Sequence, residues 1–217
     1  MMGGHLRLFG AFVACALAIV FHQLIAHEGN YVFDAAVMES VAKEAVSLHG
    51  NTSAEAVVGH VVRELRARYP QHVAPTDEWL FNNAGGAMGA MTVLHSSFSE
   101  YVIIFGTATG TEGHTGRFLA DDYFTILDGE QWAFEPGAFE KEVYKAGEQH
   151  HLPMGVAKQY RMPDQCWALE YARGNILSMM PFGLADLFFS TLDPVALFQT
   201  VRVSGGYMLG NALKGKF

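Results

Sequence analysis

The chain has 217 residues, of which half are apolar and only 17% are charged. Its net charge is −8 and its only basic run is the C-terminal "LKGKF", which argues against a nucleic-acid-binding protein, because neutralising phosphates requires clustered Lys and Arg. The charged fraction lies below the usual value of about a quarter, which indicates a surface partly shielded from water. The chain has two cysteines, Cys15 and Cys166, far apart in the sequence, and we expect no disulfide between them.

The N-terminal segment is the first predicted element. About 19 residues from Leu8 to Ala26 are mostly apolar, enough for a helix of about 29 Å. They fit an uncleaved transmembrane anchor over residues 1–30, or a signal peptide cut after Ala26. Leu24 at the minus-three position disfavours cleavage, so we expect the anchor. Because Arg7 is the nearby positive charge, the short tail is expected on the cytosolic side.

Residues 31–78 predict two amphipathic helices. Asp34 caps the first helix, and Gly50-Asn51 ends it. Thr52 and Glu55 have the spacing of a capping box that begins the second helix. The apolar stripes recur at helical period: Val37, Val41, Ala45 and Leu48, then Val57, Val58, Val61, Val62 and Leu65.

The sequence pattern of residues 79–175 is typical of an all-β sandwich or barrel. Short β-prone runs are separated by Gly, Pro and polar turns at intervals of roughly ten residues. The runs are "MTVLH", "EYVIIFGTA", "YFTIL", "QWAF", "EVY", "VAKQYRM" and "CWALEYA". The Gly- and Ala-rich run 82–91 fits tight strand packing, since these residues permit close backbone approach.

The sequence pattern of residues 176–217 is again typical of helices. Their apolar residues predict two short helices, broken near Asp193-Pro194. Both helices are apolar on more than one face, so we expect them to cover the β-domain, to lie in a membrane interface, or both.

An acidic pair stands in a strand that is otherwise mostly apolar. Side chains alternate across a strand, so Asp122 lies on the more apolar face of Phe118–Leu127, and Asp121 shares its face with Tyr123 and Thr125. We expect Asp122 to point inward and Asp121 to point outward or to be hydrogen-bonded at the rim. The alternative is a solvated acidic pair at the start of a strand.

Glu170 is a further acid in an apolar strand, "CWALEYARG". The other residues on its face are all small: Cys166, Ala168 and Ala172. If that face lines a barrel, the space beside Glu170 has room for a ligand; a surface position is the alternative. Tyr101 shares a face with Ile103 and Phe105, and its hydroxyl can partner a buried carboxyl, or else it is a core tyrosine bonded to backbone.

Three histidines raise the question of a metal site. Cupin metal sites use histidine ligands, and this chain has His114, His150 and His151 in its β region. No H-x-H or H-E-x-x-H spacing occurs, however. Adjacent histidines on a strand also face opposite ways. We therefore expect no metal and no other cofactor.

The longest motifs resemble a known family. "EWLFNNAGGAMGAM", "LHSSFSEYVIIFGTATGTEGHTGRF", "ADDYFTIL", "AKQYRMP" and "ALEYARG…PFGLADLFFSTLD" resemble the fungal-type C-8 sterol isomerases, relatives of the sigma-one receptor, over roughly residues 31–217. The resemblance implies a mainly β fold with flanking helices: an N-terminal transmembrane helix (1–30), a helical segment (31–78), a cupin-like β-barrel (79–175) and two C-terminal membrane-facing helices (176–217). It also implies a homotrimer in the endoplasmic reticulum membrane.

The same resemblance implies site residues. Glu170 matches the glutamate that holds the ligand amine in the receptor branch, and Tyr101 matches the tyrosine of the receptor's "SEY" motif. The aspartate that supports the receptor's glutamate falls on Phe124 by ungapped alignment, so this chain departs from the receptor; Asp122 points to the same face and can replace it. The candidate catalytic residues are Glu170, Asp122 and Asp121. The candidate sterol-binding residues are Tyr101, Phe105, Met91, Phe124, Met180 and Gly183.

The implied reaction moves a ring double bond from carbon 8 to carbon 7 in ergosterol-type biosynthesis, with a proton added at carbon 9 and another lost from carbon 7. Two carboxyls sharing a proton in a dry barrel suit this chemistry. We expect a sterol substrate, lipophilic amine inhibitors and contact with membrane lipid. A non-catalytic, sigma-receptor-like ligand-binding protein and a metal-dependent cupin enzyme are the alternatives.

Overall fold

The computed structural model describes residues 2–217, except for the side chains of residues 2–6 and 8. The chain begins with helix α1 (Met2–Ile25), followed by a short 3-10 helix at Glu28–Asn30. Within the described part of the chain, no helix combines the length and the apolar character that crossing a membrane requires. The predicted transmembrane anchor over residues 1–30 is therefore not supported.

Two helices follow, α2 (Ala35–His49) and α3 (Ala54–Arg68). The carboxylate of Asp34 caps α2 by accepting hydrogen bonds from the backbone N–H groups of Ala36 and Val37, which confirms the predicted cap. The capping-box prediction at Thr52 is wrong by one residue. The hydroxyl of Ser53 caps α3, because it accepts the backbone N–H of Ala56 at 3.1 Å.

The buried stripe of α2 is shifted from the predicted one. The side chains that face the sheet are Met38, Val41, Ala42 and Ala45, and Leu48 is 59% exposed. Residues one position apart on a helix lie about 100° apart, so the angle at which α2 meets the sheet decides which of two adjacent apolar stripes is buried. The predicted stripe of α3 is confirmed at Val57, Val61, Val62 and Leu65.

Two antiparallel sheets form the β-domain. The six-stranded sheet has the order β1-β2-β3-β10-β5-β8, and the four-stranded sheet has the order β4-β9-β6-β7. The strands are β1 (Trp79–Ala84), β2 (Ala87–Ser96), β3 (Glu100–Thr107), β4 (Thr111–His114), β5 (Ala120–Asp128), β6 (Glu130–Phe134), β7 (Glu142–Lys145), β8 (Gln149–Leu152), β9 (Gln159–Met162) and β10 (Cys166–Gly174). A mainly β fold with flanking helices is thus present.

Strands β1, β4 and β8 are missing from the predicted runs. All three are sheet-edge strands, and β4 and β8 read "TEGH" and "QHHL". Apart from Thr111, these two sequences contain none of the β-branched and aromatic residues that mark a strand, so their pairing comes from the sheet and not from local preference. The run 82–91 contains the β1–β2 turn, where Gly85 has a φ of 64°, and a Cβ there would lie 2.4 Å from the ring of Phe182.

The C-terminal segment forms a 3-10 turn at Ile176–Ser178, then α4 (Met180–Phe189) and α5 (Pro194–Leu213). The break at Asp193 is confirmed, and its carboxylate caps α5 by accepting the N–H groups of Val195 and Ala196. At 20 residues, α5 is longer than the predicted short helix. Helix α4 packs against β1, and α5 packs against β1 and β2.

The core lies on both faces of the six-stranded sheet. Leu169 and Tyr171 of β10 pack outward against α2 and α3. Cys166 and Ala168 of the same strand face inward, toward the second sheet. This alternation points every second side chain of β3, β5 and β10 into the space between the two sheets.

Candidate active site

A large cavity lies between the two sheets, and residues of α4 also border it. Its empty volume is about 1070 Å³ when the solvent at its open mouth is included. Its walls are mostly apolar by area, although about half of the residues that line it carry a polar group. All six candidate sterol-binding residues border it: Met91, Tyr101, Phe105, Phe124, Met180 and Gly183.

Glu170 and Asp122 both border this cavity. On the paired strands β10 and β5, Glu170 lies opposite Phe124, and Asp122 is two residues before Phe124 on the same face. Such diagonal neighbours lie about 7 Å apart at their Cβ atoms, within reach of an aspartate and a glutamate side chain. The two strands therefore bring the predicted pair together inside the domain.

The surroundings of the pair favour protonation. Burial raises the pKa of Asp122 to about 7 from its ordinary value of 3.8. Burial, followed by the negative charge of Asp122, raises the pKa of Glu170 well above its ordinary value of 4.5. Oδ1 of Asp122 has no hydrogen-bond partner among the described residues. Between the two titrations the pair carries one proton and one negative charge.

Two tyrosines, Tyr101 and Tyr160, also border the cavity. The Tyr101 hydroxyl is 3.7 Å from Sδ of Met91, which leaves it free to rotate toward a ligand. Burial and the charges of Glu170 and Asp122 raise the pKa of Tyr101 and of Tyr160, so both phenols stay protonated. Tyr160 of β9 was not among the predicted site residues, although its strand was predicted.

Asp121 lies away from the pair. Its carboxylate accepts the backbone N–H of Met154 at 3.1 Å and lies 3.3 Å from Nε2 of His151. Because adjacent residues on β5 point to opposite faces, Asp121 is on the outer side of the sheet when Asp122 is on the inner side. The geometry agrees with the predicted rim position and gives no support to a place for Asp121 in the catalytic set.

The mouth of the cavity is aromatic. Phe118 precedes β5 and Phe182 lies on α4, and their rings meet edge to face at 5.3 Å between centroids. His114 stands beside Phe182 at 6.2 Å. These residues also line the cavity, but sequence patterns did not single out either phenylalanine, because the contact joins segments more than 60 residues apart.

The inner end of the cavity holds a neutral polar pair. His150 of β8 and Gln131 of β6 both line it, and Nδ1 of His150 is 3.1 Å from Oε1 of Gln131. His114, His150 and His151 do not converge: His114 is at the mouth, and His151 contacts Asp121 on the outer face. Among the side chains that the structure describes, no three His, Cys, Asp or Glu residues group as metal ligands would.

Comparisons with known proteins agree on one family. The profile of "ERG2 and Sigma1 receptor like protein" matches residues 8–216. A protein named C-8 sterol isomerase from Pyricularia oryzae is 52% identical over all of this chain and 98% of its own length. A sigma non-opioid intracellular receptor 1 from Xenopus tropicalis is 38% identical over 83% of this chain and 80% of its own. Among solved structures, an RmlC-like cupin from Shewanella frigidimarina has a TM-score of 0.37 and 15% identity, covering 44% of this chain and 84% of its own.

Proposed function

This chain belongs to the family of ERG2 and Sigma1 receptor like proteins, and from that premise we propose that it is a sterol isomerase that moves the ring double bond from carbon 8 to carbon 7. Relatives named C-8 sterol isomerase match the whole chain at about half identity, which supports this reaction. The observation that carries the proposal is the pair of acids, Glu170 and Asp122, that border one largely apolar cavity.

The reaction requires a strong and well-aimed acid. An alkene is a poor base, so protonation at carbon 9 needs a donor that water does not level and that points at the ring. The Glu170–Asp122 pair meets both needs, because burial keeps one proton on the pair while the second carboxyl is ionised. Proton addition at carbon 9 leaves a positive centre at carbon 8, and loss of a proton from carbon 7 completes the shift.

The ionised carboxyl stabilises the cationic intermediate. A negative charge beside carbon 8 attracts the developing positive charge, and this attraction is stronger in an apolar cavity than in water. Tyr101 and Tyr160 stay protonated and can donate a hydrogen bond to the ionised member. The same arrangement favours lipophilic amines, which carry a positive charge where the intermediate does, so we propose them as inhibitors.

The test is turnover of a Δ8 sterol by purified protein in deuterated water. We expect a Δ7 product that carries deuterium at carbon 9, because the added proton comes from an acid that exchanges with solvent. The matched reaction uses the Glu170→Gln protein, which should give no product above background. A Δ7 product without label at carbon 9 would contradict the protonation step. The absence of any product would contradict the proposal that the protein is a sterol isomerase.

A second candidate is a non-catalytic receptor for lipophilic amines. The observation that favours it is the similarity to proteins named sigma non-opioid intracellular receptor 1. The two candidates separate in one preparation: a protein that binds a lipophilic amine tightly but leaves a Δ8 sterol unchanged is a receptor, and one that converts the sterol is an enzyme.

We also propose that the protein acts as a homotrimer at the endoplasmic reticulum membrane, in contact with membrane lipid. The support is the family resemblance together with apolar side chains that α4, α5 and their connection expose. These include Phe188, Phe189, Leu192, Val195 and Phe198, each more than half exposed, and exposed apolar clusters of this kind mark lipid or protein contacts. Co-fractionation with a marker of that membrane and cross-linking to a three-chain product test the two points separately.

A further inference from the structure

One phenol that borders the cavity is left unpaired by the residues that the structure describes. Tyr160 of β9 lines the cavity, and its ring packs inward against the core between the two sheets. Its hydroxyl forms no hydrogen bond within that part of the chain, and only burial and nearby charges act on it. A tyrosine hydroxyl inside a protein usually has a partner, so this one is available to a ligand.

Tyr144 of β7, in the same sheet, shows the usual arrangement. Its hydroxyl donates to Oε2 of Glu142 at 2.7 Å. Tyr160 has no such acceptor on the strands beside it, because the residues paired with it on β4 and β6 are Gly113 and Ala133, which have no polar side chain. A partner for the Tyr160 hydroxyl therefore has to come from the cavity.

Tyr160 faces the acid pair from the opposite wall. Glu170 and Asp122 lie on the six-stranded sheet, whereas Tyr160 lies on the four-stranded sheet. After the larger effect of burial, the negative charges of both acids raise the pKa of Tyr160, so the phenol is near them although no hydrogen bond joins them. Packed sheets are about 10 Å apart, and a tyrosine side chain is long enough to bring its hydroxyl toward the middle of such a gap.

This separation matches the layout of a sterol. The hydroxyl of a sterol is on the first ring, and the double bond that moves lies in the second ring, which is fused to the first. A group that binds the hydroxyl must therefore stand about one ring away from the acids, near them but out of hydrogen-bond contact. Because the acids approach one flat side of the rings from their own sheet, the hydroxyl at the edge of the molecule lies within the gap, where the facing wall can reach it.

We infer that the Tyr160 hydroxyl binds the hydroxyl of the sterol and so places its second ring beside Glu170 and Asp122. In apolar pockets, well-placed polar groups commonly fix the orientation of a ligand in this way. A protonated phenol can donate one hydrogen bond to the sterol oxygen and accept another from it. This inference rests on the proposed function and adds to it the contact that orients the substrate.

Other hydroxyls that border the cavity are less suited to this role. Tyr101 lies on the same sheet as the acids, in one row with Asp122 across Ala172, so it meets the flat side of the rings and not their edge. Ser204 of α5 also borders the cavity, but a serine in a helix can bond the carbonyl one turn earlier. The other use open to Tyr160 is donation to the ionised acid, which would assist proton transfer and not recognition of the hydroxyl.

The experiment is a double-mutant cycle between protein and substrate. It compares a Δ8 sterol with its 3-deoxy analogue, and the wild-type protein with Tyr160→Phe, which removes only the hydroxyl. We expect the wild type to prefer the hydroxylated sterol by about 10- to 100-fold in kcat/KM, because the analogue leaves the phenol unpaired. Tyr160→Phe should bring this preference to near unity by slowing the hydroxylated sterol alone. Tyr207→Phe, in a tyrosine that packs against the same core but does not line the cavity, is the matched control and should keep the preference.

Each outcome decides the inference. If the wild type converts both sterols equally well, or if Tyr160→Phe slows both equally, the inference is overturned although the proposed function stands; if the wild type converts neither, the proposed function fails. A preference that survives in Tyr160→Phe but is lost in Tyr101→Phe or Ser204→Ala assigns the hydroxyl to another wall and also overturns the inference. Because the Tyr160 hydroxyl makes no bond in the described chain, Tyr160→Phe should fold; should it fail, Tyr160→Met and the wild-type comparison give the same decision.

Discussion

Glu100 and the Glu170–Asp122 pair are buried acids on neighbouring central strands, but their surroundings differ. The Glu100 carboxylate, fully buried, accepts the backbone N–H groups of Val32 and Phe33, at 2.8 and 3.0 Å. It also accepts the hydroxyl of Tyr171, which lies at 2.8 Å, and is 2.7 Å from Nζ of Lys216. The other pair faces a cavity, and Oδ1 of Asp122 has no partner in the described chain.

The comparison separates two uses of a buried carboxylate. Around Glu100, four donors from the N-terminal segment, β10 and the C-terminal tail satisfy one ionised group, so its interactions hold distant segments together. Around Glu170 and Asp122 the protein leaves charge unpaired and raises both pKa values. Unpaired acids in a cavity are costly for the fold and useful for proton transfer.

The largest expected effect comes from Glu170→Gln. Removing the proton-sharing carboxyl should lower turnover by about 10²- to 10⁴-fold, while the melting temperature near neutral pH should not fall, because burial raises the pKa of Glu170 and makes its carboxylate costly to the fold. Turnover of a Δ8 sterol and thermal unfolding measure the two effects. Glu112→Gln, on an exposed position of β4, is the control, and a Glu170→Gln protein with wild-type turnover would remove the pair from the mechanism.

The same substitution at Glu100 should have the opposite effects, with a loss of stability and no loss of turnover. Glu100→Gln leaves the half-buried ammonium of Lys216 without its counter-charge and turns an amide NH₂ toward donors, so we expect the free energy of unfolding to fall by about 3–5 kcal/mol. Turnover per folded molecule should be retained. Denaturant unfolding monitored by fluorescence measures the loss, and unchanged stability would show that the distinction between the two acidic regions is wrong.

Asp122→Asn should stabilise the protein, in a pH-dependent way. The folded state raises the pKa of Asp122 from 3.8 to about 7, so it binds a proton more tightly than the unfolded state does. Between those two values the wild-type free energy of unfolding therefore falls as pH rises, by up to about 4 kcal/mol. Asp122→Asn removes this fall, and the variant should be more stable than wild type at pH 8 and equal to it at pH 3.5.

The smallest expected effects distinguish the two tyrosines beside these acids. The Tyr171 hydroxyl donates to Glu100 and is also 2.9 Å from the carbonyl of Phe33, so Tyr171→Phe should cost about 1–3 kcal/mol of unfolding free energy. Tyr101 has only a weak contact with a sulfur atom, so Tyr101→Phe should change stability by less than about 1 kcal/mol. Equal losses in parallel denaturant titrations would contradict the contrast.

Much of the site could be predicted from sequence because its acids lie on long apolar strands. On β5 and β10 the alternation of side chains is strict, and it predicts which face Asp122 and Glu170 occupy without knowledge of their partners. The short strands β8 and β9 gave no such pattern, so Tyr160 on β9 was overlooked as a site residue and His150 on β8 was considered only as a metal ligand. Glu100 was overlooked because its donors come from three separate segments of the chain.

The sequence by itself determined the family, the helical and β segments, and the inward faces of the two strands that carry the acids, because these depend on residue order and local periodicity. Only the tertiary structure decided which side chains share the cavity with the two acids, and that Glu100 is saturated with donors. Those facts depend on distances between segments separated by tens of residues, and strand pairing and helix packing set such distances only once the whole chain has folded.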